Sequence, residues 1–364
     1  MKRREKYLHI MDRIIRKNTR TIFSLLNKIK KNPESFYMES VCKSLSGRTY
    51  DVFFMLKPTD KRTEQQFIYH SRQEKLAIVM QGPIRTENDY TVKTLEYYKE
   101  MYPDALVIVS TWNDEDESVI QKIKSCADAI VLSEKPKYSG HLNINFQLVN
   151  TYAGIKKARD MGAKYIAKTR TDQCISKPHV FEYMVNLLSS FPSGRKITQK
   201  NRMITLSMNY GNMFFPYFMS DFMYLSTTEE MMKMFSVELD QRPRFIMPEQ
   251  SSRRAYAEAM DAPEVYIMKH YLMKLGYRGD DTIEDYWDAV KQSLICVDIK
   301  TLGLDWPKYD SKYPLHSFFG EYFIEDNPEK MKTVNFDFVN WFNLYSGSLV
   351  YKPEYEKYAD VIFK

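Results

Sequence analysis

Between residues 75 and 172 short apolar runs alternate with stretches of helical spacing. Residues 76–80 (LAIVM), 105–111 (ALVIVST), 129–132 and the run inside 164–172 (KYIAKTRTD) are continuous and of strand length, so each predicts a buried strand. Between them, residues 89–101 place Val92, Leu95 and Tyr98 on one helical face and stop before Pro103. A short helix is predicted over 119–125 and a longer one over roughly 145–161. Four strands joined through helices require right-handed crossovers and predict a parallel sheet covered on both faces.

The second half has a different texture. Residues 202–208 and 222–225 predict strands, 228–235 and 264–275 predict helices, and 287–314 reads as mixed strand and loop. Aromatics crowd the carboxyl third, with Trp306, Phe318, Phe319, Tyr322, Phe323, Phe336, Phe338, Trp341 and Phe342. Aromatics of this kind are more often core, although a platform for a sugar has the same residues. At the amino end, Ile10, Met11, Ile14, Ile15, Ile22, Phe23, Leu25, Leu26 and Ile29 recur at intervals of three, four and seven with cations between them, which predicts one or two amphipathic helices over 7–29. Residues 32–74 show no clear period. The chain therefore divides into a basic helical extension (1–74), an α/β domain (75–300) and an aromatic-rich carboxyl extension (301–364) packed on it.

Composition changes this picture in two places. With 364 residues, 44% hydrophobic and 14% aromatic, the chain can bury a substantial core and is not of disordered type. Its four cysteines, Cys42, Cys126, Cys174 and Cys296, form no Cys-x-x-Cys pair, so neither a disulfide framework nor a zinc knuckle is expected, and a reducing, cytoplasmic compartment fits best. No apolar run reaches membrane-spanning length and no secretory signal is recognisable. The net charge of +6 is carried by residues 1–31, where eleven Lys/Arg face only Glu5 and Asp12. Such a segment suits an anionic bilayer surface, where each nearby cation contributes about 1 kcal/mol before screening. It suits equally a solvated helix on its own domain or a partner subunit. Nucleic acid is not expected, because no reading helix or aromatic interleaving accompanies the charge.

The candidate chemistry lies at the strand ends. Gln81, Gly82 and Pro83 follow the first strand directly, and Gly82 permits close backbone approach to a nucleotide, although a plain strand-to-helix turn has the same residues. After the second strand, Thr111, Trp112, Asn113 and Asp114 combine a ring with a carboxylate for a ribose or base; the acidic run 114–117 also suits the start of a helix. At the fourth strand, Lys168, Arg170 and Asp172 alternate along one face. Arg170 offers a fork matching phosphate oxygens, Lys168 a point charge and Asp172 one hard oxygen ligand for a cation. A simple Arg170–Asp172 ion pair is the alternative. Asp221 precedes an apolar run, and Glu264 follows Pro263 in the first turn of a helix, where a carboxylate is also common as dipole compensation. His141 and His316 have no informative spacing. No P-loop, GxGxxG, GxSxG or HExxH motif is present, which removes kinase-like, hydride-transfer, esterase and metalloprotease chemistry as first choices.

Residues 80–84 (MQGPI), 110–112 (STW), 126–129 (CADA), 143–150 (NINFQLVN), 154–158 (GIKKA), 165–173 (YIAKTRTDQ), 220–222 (SDF) and 263–266 (PEVY) together resemble the WavE-type lipopolysaccharide synthesis family. The resemblance runs over about 75–300. It implies a GT-A-like, Rossmann-type α/β fold and a glycosyltransferase that moves a sugar from a nucleotide sugar to a hydroxyl of a lipopolysaccharide or capsular glycan. On that view Gln81, Gly82, Pro83, Thr111, Trp112, Asp114, Lys168, Arg170 and Asp172 bind the donor, and Glu264 is the base, with Asp221 as the alternative base or an acceptor binder. GT-A enzymes commonly hold Mn²⁺ or Mg²⁺ on two carboxylates one residue apart. Here the matching pair is Arg170 and Asp172, so a divalent cation on Asp172 is an open expectation. Two other activities stay open: a nucleotidyl or sugar-phosphate transferase of precursor synthesis, and a non-catalytic assembly factor.

Overall fold

A computed structural model describes residues 2–29, 33–45, 75–194, 198–207, 213–242, 261–306 and 336–358. The chain forms two units, Met1–Gln66 and Phe67–Lys364. In the first, one long helix, α1 (Lys2–Leu26), is followed by α2 (Pro33–Leu45). They meet where the Phe23 and Tyr37 rings pack edge to face at 5.4 Å. Ile10, Ile14, Ile15, Ile22 and Leu25 of α1 are exposed. The sequence does not announce α2, because its few apolar residues trace no strong face.

The second unit is built on a seven-stranded sheet. Its strands are β1 (Leu76–Gln81), β2 (Leu106–Trp112), β3 (Ala129–Ser133), β4 (Tyr165–Arg170), β6 (Met203–Leu206), β7 (Tyr224–Thr227) and β8 (Leu294–Val297), in the order β3-β2-β1-β4-β7-β6-β8. β1 to β4 pair in parallel, as do β6 and β8, whereas β7 runs antiparallel to both β4 and β6. The expected mostly parallel α/β sheet is thus observed. Four consecutive residues of β1, Ala77 to Met80, are wholly buried, so both faces are covered. The covering helices are α3 (Tyr90–Met101), α4 (Glu117–Cys126), α5 (Ile144–Asp160), α6 (Val180–Ser190), α7 (Thr228–Phe235), α8 (Pro263–Lys274) and α9 (Ile283–Ser293). α5 lies directly on β1 and β2 because Gly154 has no side chain: a Cβ there would stand 2.5 Å from Val79 Cγ1.

Residues 287–306 hold the expected strand, but they open in helix and carry a second short helix; 307–314 lie outside the described residues. Trp287 lies inside α9, whose apolar face is buried, and its indole donates to the Met213 carbonyl at 2.6 Å. β8 follows, then the short α10 (Ile299–Leu302) and β9 (Leu304–Asp305). β9 pairs antiparallel with β5 (Cys174–Ile175), forming a two-stranded ribbon just beyond the end of β4. In the carboxyl segment, α11 (Phe338–Ser346) packs through Trp341, whose indole donates to the Leu294 carbonyl at 2.7 Å. Phe336 and Trp341 are core residues. His316, Phe318, Phe319, Tyr322 and Phe323 lie outside the described residues. Among the described residues no helix is long and apolar enough to cross a membrane.

Candidate active site at the carboxyl edge of the sheet

Three strand ends stand level: Gln81 of β1 is in register with Ser110 of β2 and with Arg170 of β4. Past this line β1 and β4 leave the sheet and β2 runs on for only two residues beside β3, so the polar residues that follow gather at one edge, where open α/β sheets bind ligands. Gly82 turns there with φ +116°, a region that L side chains avoid, and its N–H donates to the Ser110 carbonyl at 3.0 Å. Gln81 is buried and Pro83 exposed.

Two threonines fasten this turn to the end of β4. Thr171 donates its N–H to the Gln81 carbonyl at 3.1 Å and its hydroxyl to the Pro83 carbonyl at 2.6 Å. Thr91, at the start of α3, donates to the Thr171 carbonyl at 2.9 Å and accepts from the Arg85 N–H at 2.9 Å. Neither was singled out from the sequence, although Thr171 sits between the charged residues of KTRTD.

At the end of β2 a neighbour of the expected carboxylate turns inward. Glu115, not Asp114, folds inward, accepting from the Ile84 N–H at 3.0 Å and the Thr111 hydroxyl at 2.8 Å. Asp114 is exposed and paired with Lys135, whose ammonium holds its carboxyl below the ordinary range. Thr111 and Trp112 are buried. Thr111 serves the Glu115 bridge, and Trp112 packs edge to face on Phe146 at 5.3 Å with Lys135 Nζ 6.0 Å above its ring. The acidic run disguised Glu115 in the sequence, because spacing alone does not say which of four neighbouring acids turns inward.

The charged cluster assembles where β4, β7 and α8 meet. Arg170 grips Asp172 at two points, Nε to Oδ1 at 2.9 Å and Nη2 to Oδ2 at 3.3 Å. Lys168, one pleat back on the same strand, is fully buried beside Tyr224 of β7 and donates to the main-chain carbonyl of Asp221. It therefore supports the edge from beneath. Asp221 is itself buried. Glu264, placed by Pro263 in the first turn of α8, keeps part of its surface open but is enclosed on most sides.

These five groups feel one another. Burial first, and then the negative charge of Asp221, push the Glu264 carboxyl up to about 8, against the opposing pull of Arg170 and Lys168. Burial lowers the Lys168 ammonium to about 7, with Arg170 adding to the fall and Asp221, Asp172 and Glu264 resisting it. The Tyr224 hydroxyl, raised by burial and by Asp221 and Glu264, completes the floor. Near neutral pH the site thus holds a permanent guanidinium, a lysine ready to lose its proton and a carboxyl ready to lose its own. Perturbed pairs of this kind suit proton transfer beside a bound anion.

The described residues do not fit a divalent cation. Both oxygens of Asp172 accept from Arg170, and no three His, Cys, Asp or Glu side chains among the described residues gather closely enough to hold a metal ion.

No curated protein sequence matches the chain. Among solved structures, it is similar to 4-diphosphocytidyl-2C-methyl-D-erythritol synthase from Anaerococcus prevotii, at 11% identity over 44% of this chain and 74% of that one, with a TM-score of 0.30. It is also similar to a cytidylyltransferase from Leptospira borgpetersenii serovar Hardjo-bovis, at 14% identity over 72% and 98% of the two chains, with a TM-score of 0.31. The family profile described as WavE lipopolysaccharide synthesis matches residues 76–361, most of the chain, and the protein belongs to that family.

Proposed function

We propose that the protein is a glycosyltransferase of bacterial surface-glycan synthesis, moving a sugar from a nucleotide-sugar donor to a hydroxyl of a lipopolysaccharide or capsular glycan. The single observation that supports this most is the convergence of Arg170, Lys168, Asp221 and Glu264 at one sheet edge within a WavE family chain. In such a transfer the acceptor oxygen forms a bond to the anomeric carbon as the bond from that carbon to the diphosphate oxygen breaks. Negative charge develops on the departing nucleotide, and the acceptor proton must leave.

Arg170 receives the diphosphate charge, oriented by Asp172 and backed by Lys168. The Gln81, Gly82 and Pro83 turn forms the adjoining nucleotide wall, and exposed Asp114, paired with Lys135, accepts a ribose hydroxyl on its remaining oxygen. Glu264 takes the acceptor proton. A carboxyl that keeps its proton to about 8 is, once ionised, a stronger base than an ordinary glutamate. Asp221 sets that basicity through its charge. Arg170 does the work expected of Mn²⁺ or Mg²⁺, so the reaction runs in the presence of a chelator.

A lipid-linked acceptor would place the enzyme at the cytoplasmic face of the inner membrane, which gives the basic amino terminus a role. Exposed Ile10, Ile14, Ile15, Ile22 and Leu25 form the apolar side of α1, and Arg13, Arg16, Lys17 and Arg20 accompany them. The catalytic reading is tested by incubating purified protein with labelled nucleotide sugars and a glycan acceptor. Sugar release or transfer by the wild type and its loss in Glu264→Gln is expected; equal turnover by both would overturn the assignment of Glu264.

A further inference from the structure

Trp306 belongs to the carboxyl third of the chain, but the fold returns it to the charged edge. β9 pairs with β5 through Cys174 with Asp305 and Ile175 with Leu304, so the residue after β9 lies beside the residues that follow β4. Tyr90 fixes the ribbon from the α3 side: its hydroxyl donates to the Asp305 carbonyl at 2.9 Å and lies 3.3 Å from Asp305 Oδ2. The indole is only 3% exposed.

Arg170 and Phe222 both meet that ring. The Arg170 guanidinium carbon lies 5.4 Å from its centre, a cation–π distance in a site largely shielded from water. Phe222, the residue after Asp221, meets the indole edge to face at 4.5 Å and 78°. Arg170 is therefore restrained along its edge by Asp172 and against an aromatic ring by Trp306. The same ring packs on the segment that carries Asp221.

We propose that Trp306 is a positioning residue that fixes the Arg170 guanidinium at the edge it shares with Asp221 and Glu264, making the phosphate-binding cation and the base one electrostatic unit. The role in transfer rests on the glycosyltransferase reading; the coupling itself does not. Without the indole the guanidinium loses its aromatic restraint, and Glu264 feels less of the cation that favours its charged form. Among the described residues, the charges that act on Glu264 are those of Asp221, Arg170 and Lys168; Glu264 acts in turn on Tyr224, and Asp172 acts on Lys168.

The test is a ¹³C-detected pH titration of the Glu264 carboxyl in the full chain, its resonance identified by its disappearance in Glu264→Gln. Trp306→Leu is expected to raise the midpoint by about half a pH unit or more, and Trp306→Phe, which keeps a ring, to restore most of the wild-type value. Arg170→Lys, which keeps the charge but loses the plane, is expected to shift it in the same direction, and decides the matter if Trp306→Leu does not fold. A folded Trp306→Leu protein in which Glu264 titrates at the wild-type midpoint would overturn the proposal, as would an unshifted Arg170→Lys. A shifted midpoint in a protein that binds no nucleotide would leave the positioning role standing and remove the glycosyltransferase reading.

Discussion

Arg170 and Asp172, two residues apart at the end of β4, close a two-point ion pair at 2.9 and 3.3 Å, so the carboxylate expected to hold a metal already has both oxygens engaged by a guanidinium. This relationship reverses the expected effect of removing the carboxylate. If Asp172 were a metal ligand, Asp172→Asn would abolish donor binding. As a partner of Arg170 it competes with the incoming phosphate, so Asp172→Asn is expected to bind a nucleoside diphosphate about two- to tenfold more tightly in EDTA, by calorimetry, while losing about 1 kcal/mol of stability.

Lys168 makes a prediction about stability. Its ammonium is lowered from 10.5 to about 7, so the unfolded chain holds that proton more tightly than the folded one. The cost is complete below about pH 7 and fades as pH rises toward the unfolded value. Lys168→Met removes it, and urea unfolding is expected to show the variant gaining more at pH 6 than at pH 10, by about 2–4 kcal/mol. The lost hydrogen bond to the Asp221 carbonyl is a constant offset. A difference between variant and wild type that is the same at both pH values would contradict the buried-charge assignment.

With Glu264 as the proposed base, turnover follows its ionisation. A base that titrates near 8 is ionised in a small fraction of molecules at pH 6, and kcat is expected to rise about tenfold per pH unit until it levels off above about 8. Lys168 loses its charge over the same range, so the donor KM rises as kcat does. Stopped-time assays from pH 5.5 to 9 with saturating and limiting donor separate the two effects. A kcat that is flat across this range would remove Glu264 as the base.

The exposed stripe of α1 is tested by liposome flotation. Vesicles containing anionic lipid are expected to carry the wild-type protein upward at low salt and to release it as salt rises, while Ile14→Glu combined with Ile15→Glu abolishes flotation without loss of the cations. Flotation independent of both lipid charge and these isoleucines would remove the membrane role.

Much of this architecture was legible in the sequence because it rests on local patterns. The continuous apolar runs of β1, β2 and β4 mark strands buried on both faces, and the parallel pairing follows from the helices between them. Lys168, Arg170, Asp172, Asp221 and Glu264 were each identified from their place at a strand or helix end, and the fold brings all five together. What was hidden depended on long-range pairing. Trp306 reaches Arg170 only because β9 pairs with β5, a two-residue ribbon too short to leave a periodic signal. Glu115 was concealed among like neighbours, and the burial of Lys168 depends on β7 lying alongside β4, antiparallel to it. Trp287 was misplaced because α9, with Asp285, Tyr286 and Trp287 in sequence, mixes polar and aromatic residues within one turn.

The central claim is that this edge binds the diphosphate of a nucleotide through Arg170 without a metal ion. Its most direct test is thermal unfolding of the wild-type protein and Arg170→Ala with a panel of nucleoside diphosphates in EDTA, with Mn²⁺ added in parallel. At least one nucleotide is expected to stabilise the wild type, by about 2.7 kcal/mol at a hundredfold excess over Kd, with little further gain from Mn²⁺ and no effect on Arg170→Ala. Stabilisation that appears only with Mn²⁺, or that survives in Arg170→Ala, or that no nucleotide produces, would contradict it.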